Sequence, residues 1–314
     1  MNISLIVPVF NEQATVERFY QTVRAEPSLQ AMTVEILFVN DGSSDETEAI
    51  CTRLAEQDEW VTLISFSRNF GKESALFAGL EYASGDAMVP IDVDLQDPVQ
   101  VIAQLVERWQ QGADVVLAKR RSRSADTRLK RWSARLYYRL HNRIASTPIE
   151  ENVGDFRLLD RKVVTAIRQL PEQQLFMKGV LSWVGFRTEI VEYDRPPRVA
   201  GESKFGVWRL WNLALDGITS FSTVPLRLWS YVGGVVSLLA LMVAAYLLVD
   251  AVVFDADLPG YPSLMTAILF LGGVQLIGIG ILGEYIGRIY QETKHRPRYV
   301  VRKVQGRQRQ PGQC

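Results

Sequence analysis

Residues 87–98 read AMVPIDVDLQDP, and the fold turns on that stretch. An apolar run from Ala87 to Ile91 is followed at once by Asp92, Val93, Asp94, Leu95, Gln96, Asp97 and Pro98. A short apolar run bounded by turn residues reads as a strand buried on both faces. Carboxylates two residues apart at its end offer the oxygen donors that a hard divalent cation takes, and such a cation neutralises a diphosphate. Asp97, directly before Pro98, reads instead as a turn or helix cap. Alone, an Asp-x-Asp pair specifies little; its companions decide.

Outward from this stretch the same punctuation recurs. Strands are expected near Ile3–Phe10, Val34–Asn40, Val61–Phe66, Ala87–Ile91 and Asp114–Ala118, with amphipathic helices between them. Strand alternating with helix implies an α/β domain with a mainly parallel sheet covered on both faces, its ligands gathered beyond the carboxyl ends of the strands. Pro8, Val9, Phe10, Asn11 and Glu12 close the first strand; Val39, Asn40, Asp41, Gly42, Ser43, Ser44 and Asp45 close the second. Asn11 and Ser43 or Ser44 have the chemistry of helix caps, and Gly42 that of a turn. A helix N-terminus at a strand end also suits an anionic ligand, so capping and ligand contact can coexist.

At 314 residues the chain exceeds one average domain. Apolar residues dominate from Leu228 to Val249 and from Leu258 to Gly283, with no Lys, Arg, Asp or Glu in either stretch. Both exceed the roughly 20 residues that cross a bilayer, so both are expected to be transmembrane helices. Asp250, Asp255 and Asp257 lie between them, whereas Arg288, Lys294, Arg296, Arg298, Arg302 and Lys303 follow the second. Positive-inside then puts both termini in the cytoplasm. Strand-like sequence begins at Ile3, so no secretory signal is expected. Cys51 and Cys314 form no disulfide framework.

The formal net charge is zero and no nucleic-acid partner is expected, but the charge is segregated: Lys119 to Arg143 is crowded with Lys and Arg and holds one acid, Asp126. Within it, Leu129, Trp132, Leu136, Leu140 and Ile144 recur at helical spacing while Arg131, Arg135, Arg139 and Arg143 rise by fours. This basic amphipathic helix, near 129–144, either presents a solvated face over a soluble core or lies on an anionic membrane surface. Trp208, Trp211, Leu215 and Ile218 mark a second amphipathic stretch before the first span, and tryptophans there favour the membrane surface. The expected organisation is a catalytic domain over 1–204, a juxtamembrane segment over 205–225, two spans over 226–290 and a basic cytoplasmic tail over 291–314.

LIVPVFNE (5–12), VNDGSSD (39–45), RNFGKESALFAGLEYASGD (68–86) and DVDLQDP (92–98) resemble, in order and spacing, the GT-A nucleotide-sugar transferases of glycosyltransferase family 2. GDFRLLDR at 154–161, GESKF at 201–205 and the two C-terminal spans look like its polyprenyl-phosphate branch, which includes dolichyl-phosphate mannose synthase. ENVGDFRLLDR (151–161), LFMKGVLSWVG (175–185), LWNLALDGITSFSTVPLR (210–227) and LGEYIGRIYQETKHRP (282–297) are similar to the bactoprenyl-phosphate glucosyltransferases of O-antigen glucosylation. The resemblance implies a GT-A (Rossmann-like) catalytic domain at the bacterial inner membrane and inverting transfer of glucose from UDP-glucose to undecaprenyl phosphate for lipopolysaccharide modification. A homo-oligomer, a tetramer, is also implied. Pro8, Asn11 and Glu12 would line the nucleotide pocket and Asp41 would hold the base, while Asp92, Asp94 and Gln96 would coordinate or orient Mg2+ or Mn2+ at the diphosphate. Lys72 would either reach the donor or be a solvated lysine at a helix start. Arg120, Arg131, Arg198, Ser203 and Lys204 are expected to meet the acceptor phosphate, which calls for fork-shaped or point cations. Asp155 matches the family's proposed catalytic aspartate; a lipid phosphate is already an anion, so Asp155 is expected to orient groups or bind metal rather than act as a base.

Gly278, Gly280 and Gly283 spell a dinucleotide fingerprint, but inside a membrane span with no preceding strand they read as small residues for helix packing. Glu284 reads as an interfacial residue at the cytoplasmic helix end. A processive polysaccharide synthase would carry QxxRW and more spans; Gln104, Arg108 and Trp109 have the wrong spacing. A non-catalytic scaffold that binds nucleotide sugar would have lost the paired carboxylates, which are present.

Overall fold

The structure is a computed structural model that describes residues 1–121, 153–170, 172, 180, 183–194, 222–254 and 260–306. The basic helix near 129–144, Arg131, Arg198, Ser203, Lys204 and most of the juxtamembrane segment lie outside the described residues.

Five strands stand where short β-branched runs end in polar clusters: β1 (Asn2–Val9), β2 (Thr33–Asn40), β3 (Val61–Phe66), β4 (Ala87–Pro90) and β5 (Val115–Arg120). Helices α1 (Val16–Ala25), α2 (Thr47–Gln57), α3 (Lys72–Tyr82) and α4 (Val101–Gln110) connect them. Three further strands complete one sheet: β6 (Val153–Asp160), β7 (Thr188–Tyr193) and β8 (Val301–Gln305), in the order β7-β5-β6-β4-β1-β2-β3-β8. β1 pairs in parallel with both β2 and β4, β2 with β3, and β5 with β7; β6 and β8 run antiparallel to their neighbours.

Alternation along β1 divides the interior in two. Ile3, Leu5, Val7 and Val9 join Phe19 of α1, Leu54 of α2 and Leu105 of α4 in one core. Ile6, on the opposite face, packs with Leu76 and Leu80 of α3 and with Val163 and Ile167 of α5 (Arg161–Arg168). At Gly79 a β-carbon would come within 2.1 Å of Ile6 Cγ2, so the missing side chain lets α3 lie close on the sheet.

Two long helices follow, α6 (Val224–Phe254) and α7 (Tyr261–Thr293). Their apolar windows, Leu226–Val243 and Ser263–Thr293, have mean hydropathy 1.7 and 2.1 and are long and apolar enough to cross a membrane. Gly278 sits against Trp229, where a β-carbon would meet the indole Nε1 at 2.1 Å. Gly280, Gly283 and Gly287 face open space among the described residues. Glu284 pairs with Arg288 one turn on, at 3.2 Å.

Part of the stretch expected as a basic cytoplasmic tail is a strand of the sheet. Val301–Gln305 adds to β3 as an antiparallel edge strand. Arg298 leads into it, donating from Nε to the Glu172 carbonyl at 2.8 Å and from Nη2 to that of Leu170 at 2.7 Å, with its guanidinium 3.8 Å over the Phe77 ring. Tyr299 stacks on Phe66 at 4.9 Å and donates to Glu81. The basic residues are spent on the domain: Arg302 pairs with Glu48, and Lys303 reaches Thr52 at 3.4 Å.

Candidate active site

The topology gathers the polar residues at one edge. β1 is flanked by β2 on one side and β4 on the other, so the chain reverses its winding there and a crevice opens beyond the carboxyl ends of these strands. β6 runs the other way, which brings its beginning, Gly154 and Asp155, to the same edge. Arg120 at the end of β5 and Tyr193 at the end of β7 complete the row.

Lys72 occupies the middle. It opens α3, and its Nζ lies 2.7 Å from Asp92 Oδ1 and 2.8 Å from Asp155 Oδ2. Its side chain keeps 44% of its surface exposed while the ammonium contacts both acids. Burial pulls the Lys72 pKa down, but the charges of Asp92 and then Asp155 hold it above the ordinary lysine value. Asp92 is raised: burial dominates, Lys72 pulls it back, and Asp155 and Asp97 push it up again. One ammonium thus serves two carboxylates in a recess. Lys72 thus sits at the helix start paired with two acids while its side chain stays partly exposed.

The loop that delivers Lys72 is held from β2. Asp41 is buried, and its carboxylate accepts from the Phe70 amide at 2.6 Å and the Gly71 amide at 2.9 Å. Burial raises the Asp41 pKa, and those amides pull it back. Gly42, at φ +70°, lets this turn press against the loop, since a β-carbon would stand 2.5 Å from the Arg68 carbonyl carbon. Both oxygens of the residue expected to hold a base are therefore engaged in supporting the Lys72 loop.

Across the crevice, Asn11 adopts φ 55°, and its side-chain oxygen accepts from the Ser44 amide at 2.9 Å while its own amide donates to Ser43 Oγ at 3.0 Å. The Glu12 amide donates to Thr47 Oγ1 at 2.8 Å. These contacts join the loops after β1 and β2 into one wall. Pro8, half-buried in β1 opposite Val39, stands behind it.

Asp94 Oδ1 accepts from the Gln96 amide at 3.0 Å, and the intervening Leu95 turns through φ 57°. Gln96 and Asp97 are both buried. Asp97 is no helix cap: α4 begins later, with Gln100 at its cap position, and Asp97 instead accepts from the Tyr193 hydroxyl and lies 3.8 Å from Arg120 Nη2. Sequence reasoning also missed Arg157, in the same GDFR run as Asp155. It is buried, donates from Nη2 to the Gly154 carbonyl at 2.6 Å, and its Nε has no partner among the described residues. Burial lowers its pKa against the opposing pull of Asp155 and Glu73.

No cluster of three or more His, Cys, Asp or Glu side chains suited to a metal ion occurs among the described residues. The donors at hand are the Asp92 and Asp94 carboxylates, with Gln96 beside them. Such a set fits a magnesium-like ion, which takes one or two carboxylates and completes its shell from phosphate oxygens and water.

A doubly wound sheet with acids and a lysine at its winding reversal, ahead of two apolar helices, defines a glycosyltransferase of the GT-A type. The chain belongs to glycosyl transferase family 2, whose profile matches residues 4–168; a second profile, the GtrB C-terminal hairpin, matches residues 224–289. It is 61% identical over 302 residues to the bactoprenol glucosyl transferase of Shigella phage SfV, covering 96% of this chain and 98% of the relative. To the prophage bactoprenol glucosyl transferase homolog of Escherichia coli K12 it is 59% identical, covering 97% and 99%. An uncharacterized glycosyltransferase of Synechocystis is 47% identical, covering 98% and 96%.

Proposed function

We propose that this chain transfers glucose from UDP-glucose to undecaprenyl phosphate on the cytoplasmic face of the bacterial inner membrane, with inversion, for O-antigen glucosylation. The acceptor class is supported by the near-full-length relatives named bactoprenol glucosyl transferase. The observation that carries the catalytic reading is Lys72 bridging Asp92 and Asp155 at the edge where the sheet reverses its winding.

The acceptor phosphate oxygen attacks the anomeric carbon, the bond from that carbon to the diphosphate oxygen breaks, and the nucleoside diphosphate leaves with the electron pair. The attacking group is already an anion, so no strong base is needed. Asp155, tied to Lys72, orients groups at the reacting carbon. Lys72 brings positive charge to the side on which the diphosphate departs, the stabilisation that is usually the largest catalytic term. A divalent cation, Mg2+ or Mn2+, held by Asp92 and Asp94 with Gln96 beside them, would neutralise the departing diphosphate. Pro8, Asn11, Glu12 and Asp41 form or support the nucleotide wall, and Arg120, with Arg131, Arg198, Ser203 and Lys204, meets the acceptor phosphate. The return of β8 to the sheet directly after α7 supports putting the catalytic domain and the end of the second span on one side of the bilayer. Holding enzyme and lipid acceptor on one surface raises their effective concentration.

The test is a donor panel: purified full-length protein, Mg2+ or Mn2+, undecaprenyl phosphate and labelled sugar nucleotides, with label followed into the lipid phase. Label from UDP-glucose alone is expected. Label from another donor overturns the sugar, and metal-dependent donor binding without lipid labelling overturns the enzymatic reading.

A further inference from the structure

Three elements of the site meet at one phenol. Tyr193 ends β7 in register with Arg120 on β5. Its hydroxyl donates to the buried Asp97 carboxylate and accepts from Arg120 Nε at 3.2 Å. Its ring stands edge-on to Phe156, centroids 5.8 Å apart and planes at 86°, and Phe156 follows Asp155 on β6. Arg120 is placed by this: one edge of its guanidinium is taken by the phenol, and Nη2 lies between Asp97 and the bare backbone of Gly154, where a β-carbon would stand 3.4 Å away.

Among the described residues the Tyr193 hydroxyl has no hydrogen-bond partner besides Asp97 and Arg120. A phenylalanine would fill the same space against Phe156, and Asp97 is buried too deeply to be a solvated surface acid. An arginine side chain has many rotamers, and a bidentate contact to a phosphate requires that most be removed before binding. The Tyr193–Asp97 pair removes them along the Nε–Nη2 edge of the fork.

We propose that Tyr193, braced by Asp97, is a positioning residue that aims the Arg120 guanidinium at the phosphate of the lipid acceptor. It acts through Arg120 and touches neither donor nor metal. Burial and then the Asp97 charge push the Tyr193 pKa up to about 12, so the phenol stays a donor throughout the physiological range. This rests on the reading of Arg120 as an acceptor-phosphate contact.

The experiment measures equilibrium binding of farnesyl phosphate, and separately of UDP with Mg2+, to the detergent-solubilised full chain, so that neither sugar identity nor turnover enters. Tyr193→Phe is expected to weaken farnesyl phosphate about fivefold, the worth of one hydrogen bond, and to leave UDP affinity unchanged. Arg120→Gln is expected to weaken it more, and the double variant no further than Arg120→Gln alone, because the phenol has nothing left to aim. If Arg120→Gln weakens farnesyl phosphate and Tyr193→Phe does not, the positioning role is overturned while Arg120 keeps its assignment. Equal loss of both ligands in Tyr193→Phe overturns it in favour of a general packing role. If Arg120→Gln leaves farnesyl phosphate binding intact, the assignment of Arg120 fails and this inference falls with it.

Discussion

Lys72 and Asp155 meet at 2.8 Å across the crevice, one at the first position of α3 and the other near the start of β6. The contact exists because β6 runs antiparallel to β4, which brings its beginning to the edge where α3 begins. Lys72→Met is therefore expected to lower kcat about 100-fold, the usual cost of removing one group that stabilises departing charge. Membrane insertion should change little, while thermal stability should fall because Asp92 and Asp155 lose their shared cation. Steady-state turnover with the preferred donor checks this; unchanged kcat would return Lys72 to the status of a surface lysine.

Asp94 makes one contact among the described residues, to the Gln96 amide, and that bond survives in asparagine. Asp94→Asn should thus fold and insert normally while losing transfer and metal-dependent UDP binding, since a neutral amide is a poor ligand for a hard cation. UDP titrations with and without Mg2+ measure it. Retained metal dependence sinks the assignment.

How much of this was legible beforehand differs from element to element. β1 to β5 announce themselves because each is an apolar run stopped by a polar cluster. β8 does not: two of the five residues of VRKVQ are basic, as an edge strand with one open side tolerates, and in one dimension it is indistinguishable from a basic tail. Asp92 and Asp94 are legible as carboxylates at a strand end. The convergence of Lys72, Asp92 and Asp155 is not, because it depends on strand order, and the helix-start position of Lys72 was equally compatible with solvent. The helix-cap half of the Asp97 reading failed for a related reason. Its Asp-Pro context speaks for a turn, while its partners Tyr193 and Arg120 come from strands that only the sheet brings alongside.

Asp41 and Gly42 together hold the loop before α3, so both are predicted to act on the site from a distance. Asp41→Ala leaves the Phe70 and Gly71 amides without their acceptor, at a cost of about 1–3 kcal/mol. Gly42→Ala forces a side chain into φ +70° and against the Arg68 backbone, and should cost at least as much. The raised pKa of Asp41 carries a sign as well. Its share of stability is fully present below the unfolded carboxylate pKa and is lost as pH rises through the higher folded value, so Asp41→Asn should flatten the stability profile over that interval. Chemical denaturation across the acid range reads all three; a profile in Asp41→Asn as steep as in the parent would show that Asp41 does not set it.

The strand that follows the two long apolar helices makes the last prediction. β3 is VTLISF, buried at every position, and β8 is what covers its outer edge. Deleting residues 297–314 uncovers that edge and also removes Arg298 and Tyr299, which hold Phe77, Glu81 and Phe66. An apolar strand with unpaired amides and carbonyls is a template for association, so the truncated protein should aggregate in detergent although both apolar helices are intact. Arg298→Ala is the milder form. It leaves β8 in place but frees the Leu170 and Glu172 carbonyls and uncovers Phe77, for a loss of about 1–3 kcal/mol. Phe77 and Glu81 lie on the helix that begins with Lys72, so hydrogen exchange in α3 should rise in Arg298→Ala along with exchange in β3. Exchange that rises in β8 alone would mean that the strap is anchored to the domain without supporting the helix that carries Lys72.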